Sequence, residues 1–309
     1  MRVRGKIACW AAMVVCLCAA APPSASATFP GRPGLIVFNL TFHKQGVGDR
    51  TGGLFAFRPG WPQPRQLTDN PWDYDPSFAP NGKRLVFRRV NAPQSGLFTL
   101  DLGSGELTRI TPRDDDIDPA FGPRGTVAFS RFSYESESYD LFLRTRDGRL
   151  HRLTSTPARD AAPAFTPDGE RIVFSREYGR AVALGTLGAG RPPDRLFSIR
   201  TDGTGLRSLR TGLSLSDLDV SPDGRNLAFG AGSRVSAVPL RGGKPRLIST
   251  NASYPAYSPD GRSIAYANRD GLWRRPSAGG PPRLLFPAED DVSKPESVLL
   301  VHPAWQPLP

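Results

Sequence analysis

A chain of 309 residues, 39% hydrophobic and 22% charged, is long enough to bury a large core without disulfides. Its formal net charge of +11, from 40 Lys+Arg against 29 Asp+Glu, is basic, but the excess is mostly arginine scattered along the sequence, which argues against a nucleic-acid site. All three cysteines (Cys9, Cys16, Cys18) precede residue 28, which excludes a disulfide framework, a thiolate zinc site and a cysteine nucleophile from the rest of the chain.

The first element has the pattern of a Sec-type signal peptide over residues 1–27. Arg2, Arg4 and Lys6 form a positive segment, Ile7 to Ala21 an apolar one, and Ala25-Ser26-Ala27 a small-residue cleavage site before Thr28. The apolar run is about 15 residues, short of the roughly 20 that span a bilayer. Val15 and Leu17 stand before Cys16 and Cys18, where a lipoprotein signal needs a small residue. Without the three charges of this segment, 37 Lys+Arg face 29 Asp+Glu, a net of +8. That surplus permits a general affinity for anionic wall polymers or lipid headgroups; an arginine-rich genome explains it more simply. No later segment has the length of a membrane span.

From residue 28 the chain is expected to be one domain of strands. Gly34-Leu-Ile-Val-Phe38, Gly53-Leu-Phe-Ala-Phe57 and Arg65-Gln-Leu-Thr68 are the first. A repeat then begins with Asp75-Pro-Ser-Phe-Ala-Pro-Asn-Gly-Lys-Arg-Leu-Val-Phe87. It returns at 118–129, 162–174, 217–229 and 254–266, the last reading Tyr254-Pro-Ala-Tyr-Ser-Pro-Asp-Gly-Arg-Ser-Ile-Ala-Tyr266. The shared prolines, Pro80, Pro123, Pro167, Pro222 and Pro259, are 43, 44, 55 and 37 residues apart, the length of a propeller blade. In each copy a short strand leads into a Pro-Asp-Gly turn, in which proline presets φ, aspartate bonds the local backbone and glycine takes the positive φ. A β-branched and aromatic second strand follows. Third strands such as Gly96 to Asp101 and fourth strands such as Leu107 to Thr111 complete four-stranded units.

The sixth copy is divided between the termini. His302-Pro-Ala-Trp-Gln-Pro307 matches the first strand, and Gly34 to Phe38 supplies the second. Pairing the two would close a six-bladed ring and leave no open sheet edge. The long interval holds an insertion around Gly179 to Pro193, read as a protruding loop.

The phrase Leu-Thr, a short loop, Asp-x-x-Pro-x-aromatic-Ser-Pro-Asp-Gly and Ile-Ala-Phe resembles the repeat of TolB-type propellers, which are related to WD-repeat propellers. The resemblance covers nearly all of the chain after residue 28. It implies the fold strongly and activity weakly, because similar repeats build the propellers of prolyl oligopeptidase-like enzymes and of some pectic-oligosaccharide lyases. TolB carries an additional α/β domain before its propeller, with no counterpart between Thr28 and Gly34, so a role as accessory component of an envelope complex is implied less directly.

Two acidic registers stand out. Asp73, Asp116 and Asp160 lie seven residues before their prolines; Asp75, Asp118 and Asp217 lie five before, where other blades have Ala162, Tyr254 and His302. First strands line a propeller channel, so both registers are expected near one mouth, as an acidic half-ring for a cation, an amine or a basic peptide. The structural alternative has each aspartate bonding backbone N–H groups at the strand entry. Asp114, Asp115 and Asp116 are weak candidates for Ca2+, without the regular oxygen spacing of a calcium loop. The loops before the first strands vary while the scaffold repeats, which makes them the candidate binding face. They carry Trp72, Tyr74, Arg113, Arg159 and Tyr254, and Glu289, Asp290 and Asp291 in the longest one. The aromatic register Phe78, Phe121, Phe165, Val220, Tyr257 and Trp305 is read as packing between blades.

For catalysis the sequence offers little. It has no nucleophile elbow, P-loop or dinucleotide fingerprint. Of His43, His151 and His302, only His302 is expected on the channel. The expectation is a secreted monomeric binding module for a protein or an envelope polymer. The alternative is a small-substrate lyase or hydrolase at the channel mouth, worked by the aspartates and His302. A deep polar pocket with convergent, pKa-shifted groups would favour the enzyme; a shallow face with exposed aromatics would favour the binding module.

Overall fold

The computed structural model describes residues 29–44, 50–91, 93–178, 195–211, 216–288 and 296–309. The segment 1–27 and the insertion around Gly179 to Pro193 lie outside the described residues, as do Glu289, Asp290 and Asp291. Six four-stranded antiparallel sheets make a six-bladed β-propeller. Blade 1 runs outward through β4 (Asp73–Phe78), β5 (Arg84–Arg89), β6 (Gly96–Asp101) and β7 (Leu107–Arg109). Blade 2 comprises β8 (Asp116–Phe121), β9 (Val127–Ser133), β10 (Ser138–Arg144) and β11 (Leu150–Arg152). Blade 3 has β12 (Arg159–Phe165), β13 (Arg171–Glu177), β14 (Arg195–Arg200) and β15 (Arg207–Thr211). Blade 4 has β16 (Ser216–Val220), β17 (Asn226–Gly230), β18 (Arg234–Pro239) and β19 (Arg246–Thr250). Blade 5 has β20 (Ser253–Tyr257), β21 (Ser263–Asn268), β22 (Gly271–Pro276) and β23 (Arg283–Pro287).

The sixth blade closes the ring in the order β24 (Glu296–Leu308), β1 (Arg32–Lys44), β2 (Arg50–Phe57) and β3 (Arg65–Gln66). The C-terminal strand is its innermost member. Its pairing with the N-terminal strand runs from Arg32 opposite Leu308 to Lys44 opposite Glu296. The closing strands are longer than the Gly34–Phe38 core legible in the sequence. The Gln306 side chain adds a lock, accepting from the Leu35 N–H at 3.0 Å and donating to the Gly82 carbonyl of blade 1 at 2.8 Å.

The repeat motifs each have a structural role. The aromatic register is buried throughout, from Phe78 to Trp305, and Phe165 shows why: it packs with Leu141 and Leu143 of the preceding blade. In the Leu-Thr phrase the threonine hydroxyls of Thr68, Thr111 and Thr154 accept the N–H groups of Leu54, Leu97 and Leu141. They tie the end of each outermost strand back to the third one.

Every inner strand carries a bulge at the same place. In blade 1, Tyr74 pairs with Arg88 and Ser77 with Val86, so Asp75 and Pro76 together face the single residue Phe87. The same irregularity falls at Asp118-Pro119, Ala162-Pro163, Asp217-Leu218, Tyr254-Pro255 and His302-Pro303. Proline has no N–H for the ladder, and a bulge is where a strand tolerates it. Opposite each bulge stands an aromatic ring, Phe38, Phe87, Phe129, Phe174, Phe229 or Tyr266, each almost completely buried.

The Pro-Asp-Gly turns stack around the ring. Gly169 has φ +67° and donates to the Thr166 carbonyl at 2.8 Å. A Cβ there would lie 2.3 Å from Cγ of Pro123, the turn proline of blade 2. Gly224 likewise rests on Pro167, and Gly261 on Pro222. Blade 2 has one residue fewer in this turn, and Arg124 takes a positive φ inside a single 3-10 turn, Pro123–Gly125. We expect Gly169→Val to lower the melting temperature by several degrees, since backbone strain and the Pro123 clash together cost about 2 kcal/mol. An unchanged melting temperature in calorimetry would contradict the turn geometry.

Candidate functional site

The six bulges build the site. The residue at the start of each bulge has positive φ: Asp75, Asp118, Ala162, Asp217, Tyr254 and His302 all lie between 50° and 56°. Such a backbone costs a non-glycine residue roughly 1 kcal/mol or more, and here the flanking ladders on both sides impose it. All six residues line one cavity of about 130 Å³ among the first strands of the blades. Ser77, Ala120, Asp219, Ala256 and Ala304, two residues further along their strands, line it as well.

Four carboxylates, of Asp75, Asp118, Asp217 and Asp219, line the cavity together with one imidazole and one phenol. His302 Nδ1 is 2.6 Å from Asp75 Oδ1. The Tyr254 and His302 rings are 3.8 Å apart, and Tyr74 meets His302 edge-on at 6.3 Å. Asp118 accepts the Ala162 N–H at 3.1 Å across the blade boundary. Burial raises the Asp75 carboxyl, but His302 and then Arg88 outweigh it and hold its pKa below the usual value. Burial opposes the His302 imidazolium, yet Asp75, Asp217 and Asp118 together raise its pKa above 6.5. Asp118 is pushed up to about 6 by burial and then by Asp75. Asp217 is raised by burial, which His302 only partly offsets. The Tyr254 phenol is pushed up to about 12 by burial, with Asp217 and Asp75 adding to it. His302 is the one basic side chain lining the cavity, which Asp75, Asp118, Asp217 and Asp219 also line, while Arg88 and Arg159 lower Asp75 and Asp118 from outside it. The cavity is short of positive charge.

The other acidic register goes elsewhere. Asp73, Asp116 and Asp160 are fully buried, and each forms a two-pronged ion pair with an arginine of the neighbouring strand. Arg89 binds Asp73 at 2.6 and 2.8 Å, Arg131 binds Asp116 at 2.5 and 2.8 Å, and Arg176 binds Asp160 at 2.6 and 2.7 Å. Each guanidinium also lies over two phenylalanine rings, as Arg176 does over Phe197 and Phe174 at 4.7 and 5.6 Å. In the closing blade the corresponding pair of positions is Leu300 opposite Leu40. Each Asp–Arg pair buries its carboxylate and bridges the first and second strands of its own blade, which makes it part of the framework. They face neither the channel nor the backbone donors of the strand entry, in contrast to both readings of the sequence.

The remaining candidates are spread around the rim. Asp115 is held by Arg113 at 2.5 and 2.8 Å, and Asp116 by Arg131, so arginines occupy two of the three carboxylates in the Asp114–Asp116 run. Among the described residues no group of three or more His, Cys, Asp or Glu side chains is arranged to hold a metal ion. Arg159 pairs with Glu177 at 3.4 Å and lies 5.4 Å over the Tyr139 ring. Trp72 is half-buried. Asp219 was not singled out in the sequence; its carboxylate accepts the Tyr257 N–H at 2.5 Å. Its signal was present, since the equivalent positions hold only Ser77, Ala120, Ala164, Ala256 and Ala304.

No family model matches the chain, and no curated protein matches its sequence. Solved structures share the fold. TolB from Acinetobacter baumannii superposes with a TM-score of 0.70 at 18% identity, over 90% of this chain and 68% of that one. Hydrazine synthase from Kuenenia stuttgartiensis gives 0.64 at 14%, over 89% of this chain and 47% of that one. A nidogen/laminin complex gives 0.59 at 13%, over 87% and 98%. The chain thus has the propeller fold of TolB, a fold that the two other structures place in quite different proteins.

Asp118 makes the site testable through stability. Its pKa is raised on folding, so its favourable contribution is complete below about pH 4 and is lost as pH rises through about 6. Asp118→Asn keeps an oxygen for the Ala162 N–H and removes the ionisation. We expect the variant to be more stable than the parent near neutral pH, by about 1 kcal/mol, with the difference vanishing near pH 4. A variant less stable at neutral pH would contradict the charge balance drawn for the cavity.

Proposed function

We propose that the protein is a noncatalytic binding propeller whose channel mouth receives a cationic group, an ammonium or guanidinium, presented by a protein partner. The observation that carries this reading is the convergence of Asp75, Asp118 and Asp217 on one small cavity whose own cation, His302, balances only one of them. An incoming positive charge would relieve the repulsion that raises Asp118 and Asp217. Size supports a single head group: about 130 Å³ is well below the several hundred Å³ that enclose a sugar or a comparable substrate. Tyr254 and Tyr74 would flank the entering side chain, and the rim residues Trp72, Arg113 and Arg159 would meet its neighbours. The propeller fold of TolB supports a place in an envelope complex, and the pattern of residues 1–27 supports an extracytoplasmic setting.

The same groups favour a second reading. A His–Asp pair at 2.6 Å beside a carboxyl with a pKa of about 6 is a set that can exchange protons, so a small-substrate enzyme at this mouth is the alternative. An array of short peptides separates the two. We expect the protein to retain peptides with lysine or arginine at an accessible end, and Asp118→Asn with Asp217→Asn to abolish that selection. Selection of acidic peptides, or selection that survives the double variant, would contradict the binding reading.

A further inference from the structure

The arginines that are scattered in the sequence gather on the face opposite the channel cavity. Blades 1 to 5 each bring two turns to that face, one between the first and second strands and one between the third and fourth, and the closing blade brings one. Backbone bonds set the pair side by side: Leu102 N–H to the Lys83 carbonyl, Thr201 to Glu170, Leu240 to Arg225 and Ser277 to Arg262. In these turns, over residues 57–65, 79–84, 101–107, 122–127, 144–150, 166–171, 200–207, 221–226, 239–247, 258–263 and 276–284, Lys and Arg outnumber Asp and Glu about two to one. Several of the acids are turned onto their own loops. Asp101 accepts the Gly103 and Ser104 N–H groups, Asp223 the Ser221 hydroxyl and the Arg225 N–H, and Asp260 the Ser258 hydroxyl and the Arg262 N–H. The face keeps an excess of positive charge.

Apolar groups stand at the rim of the same face. Leu107, Leu150, Leu206, Leu247 and Leu284 are between 40% and 48% exposed. Each lies within one residue of the start of an outermost strand, so five blades repeat one exposed leucine beside the basic turns. Between blades 4 and 5 the face opens into a groove of about 750 Å³, lined by the cations Lys244, Arg246 and Arg262 and by Asp223 and Asp260, whose carboxylates are bound to their own turns. Among the described residues none of the three cations has an acidic partner.

We propose that this face docks on an anionic lipid bilayer. The leucines would enter the headgroup boundary, the basic turns would meet the surface charge, and the groove would hold a phosphate-bearing headgroup. A soluble polyanion would use the cations and leave the leucines idle, which is why the repeated leucine selects a bilayer. The orientation leaves the acidic channel mouth facing away from the membrane, open to a partner. The inference is independent of what binds in the channel.

Vesicle co-sedimentation tests it with the chain from Thr28 onward, which holds every strand of the ring and omits the apolar N-terminal run. Phosphatidylcholine vesicles containing phosphatidylglycerol should sediment the protein, and pure phosphatidylcholine vesicles should not. Leu107→Ser with Leu150→Ser and Leu247→Ser should weaken binding about tenfold or more, and added salt should weaken it further. Lys244→Glu with Arg246→Glu should do the same, and unchanged melting temperatures would show that both variants fold. Equal binding to neutral vesicles, or binding that the leucine variant leaves intact, would overturn the proposal. So would capture by soluble polyphosphate as tight as by vesicles.

Discussion

The structure turns on a bulge repeated in every inner strand. Five of the six place proline one position after the channel residue, where two residues face one on the second strand and the missing N–H is tolerated. The aromatic ring opposite fixes the bulge in a packed core. The bulge in turn rotates one side chain per blade into the channel. Blade 4 has Leu218 where the others have proline and bulges identically, so ring packing maintains the geometry even where the proline is absent. Six such rotations, repeated around a closed ring, produce a site from residues as much as 227 positions apart in the chain, Asp75 and His302.

That constraint also sorts the charges. Asp73 and Asp75 are two residues apart and would share one face of a regular strand. The bulge separates them: Asp73 goes into a dry ion pair with Arg89, and Asp75 goes to His302. Truncating one member of a dry pair would strand its partner's charge, which is strongly destabilising, whereas the channel carboxylates press on one another without an equal set of cations. Stability lost in the channel and regained in the framework is the distribution expected of a binding site on a rigid scaffold. On the far face the same topology collects basic turns from every blade. The molecule is therefore electrically two-sided, acidic in the channel and basic beneath.

Much of the fold was legible in the sequence because its signals are local and repeated. The Pro-Asp-Gly turns, the aromatic register and the split sixth copy each report a single physical requirement. The site was legible only in part. The positions of Asp75, Asp118, Asp217, Tyr254 and His302 follow from the repeat, but period-two reasoning groups them with Asp73, Asp116 and Asp160, and only the bulge divides the two sets. The arginine partners are hidden because Arg89, Arg131 and Arg176 lie about 16 residues away, toward the far ends of second strands, after their apolar runs. The basic face escapes a linear reading for a similar reason: each blade contributes only a few cations, and the ring assembles them.

The channel mouth is short of positive charge. Nuclear magnetic resonance of the His302 imidazole during addition of methylguanidinium measures this directly. The account predicts a saturable shift of the His302 resonances near neutral pH that fades on acidification, as Asp118 and Asp217 take up protons. A resonance that does not respond to methylguanidinium, or that responds to acetate instead, would contradict it.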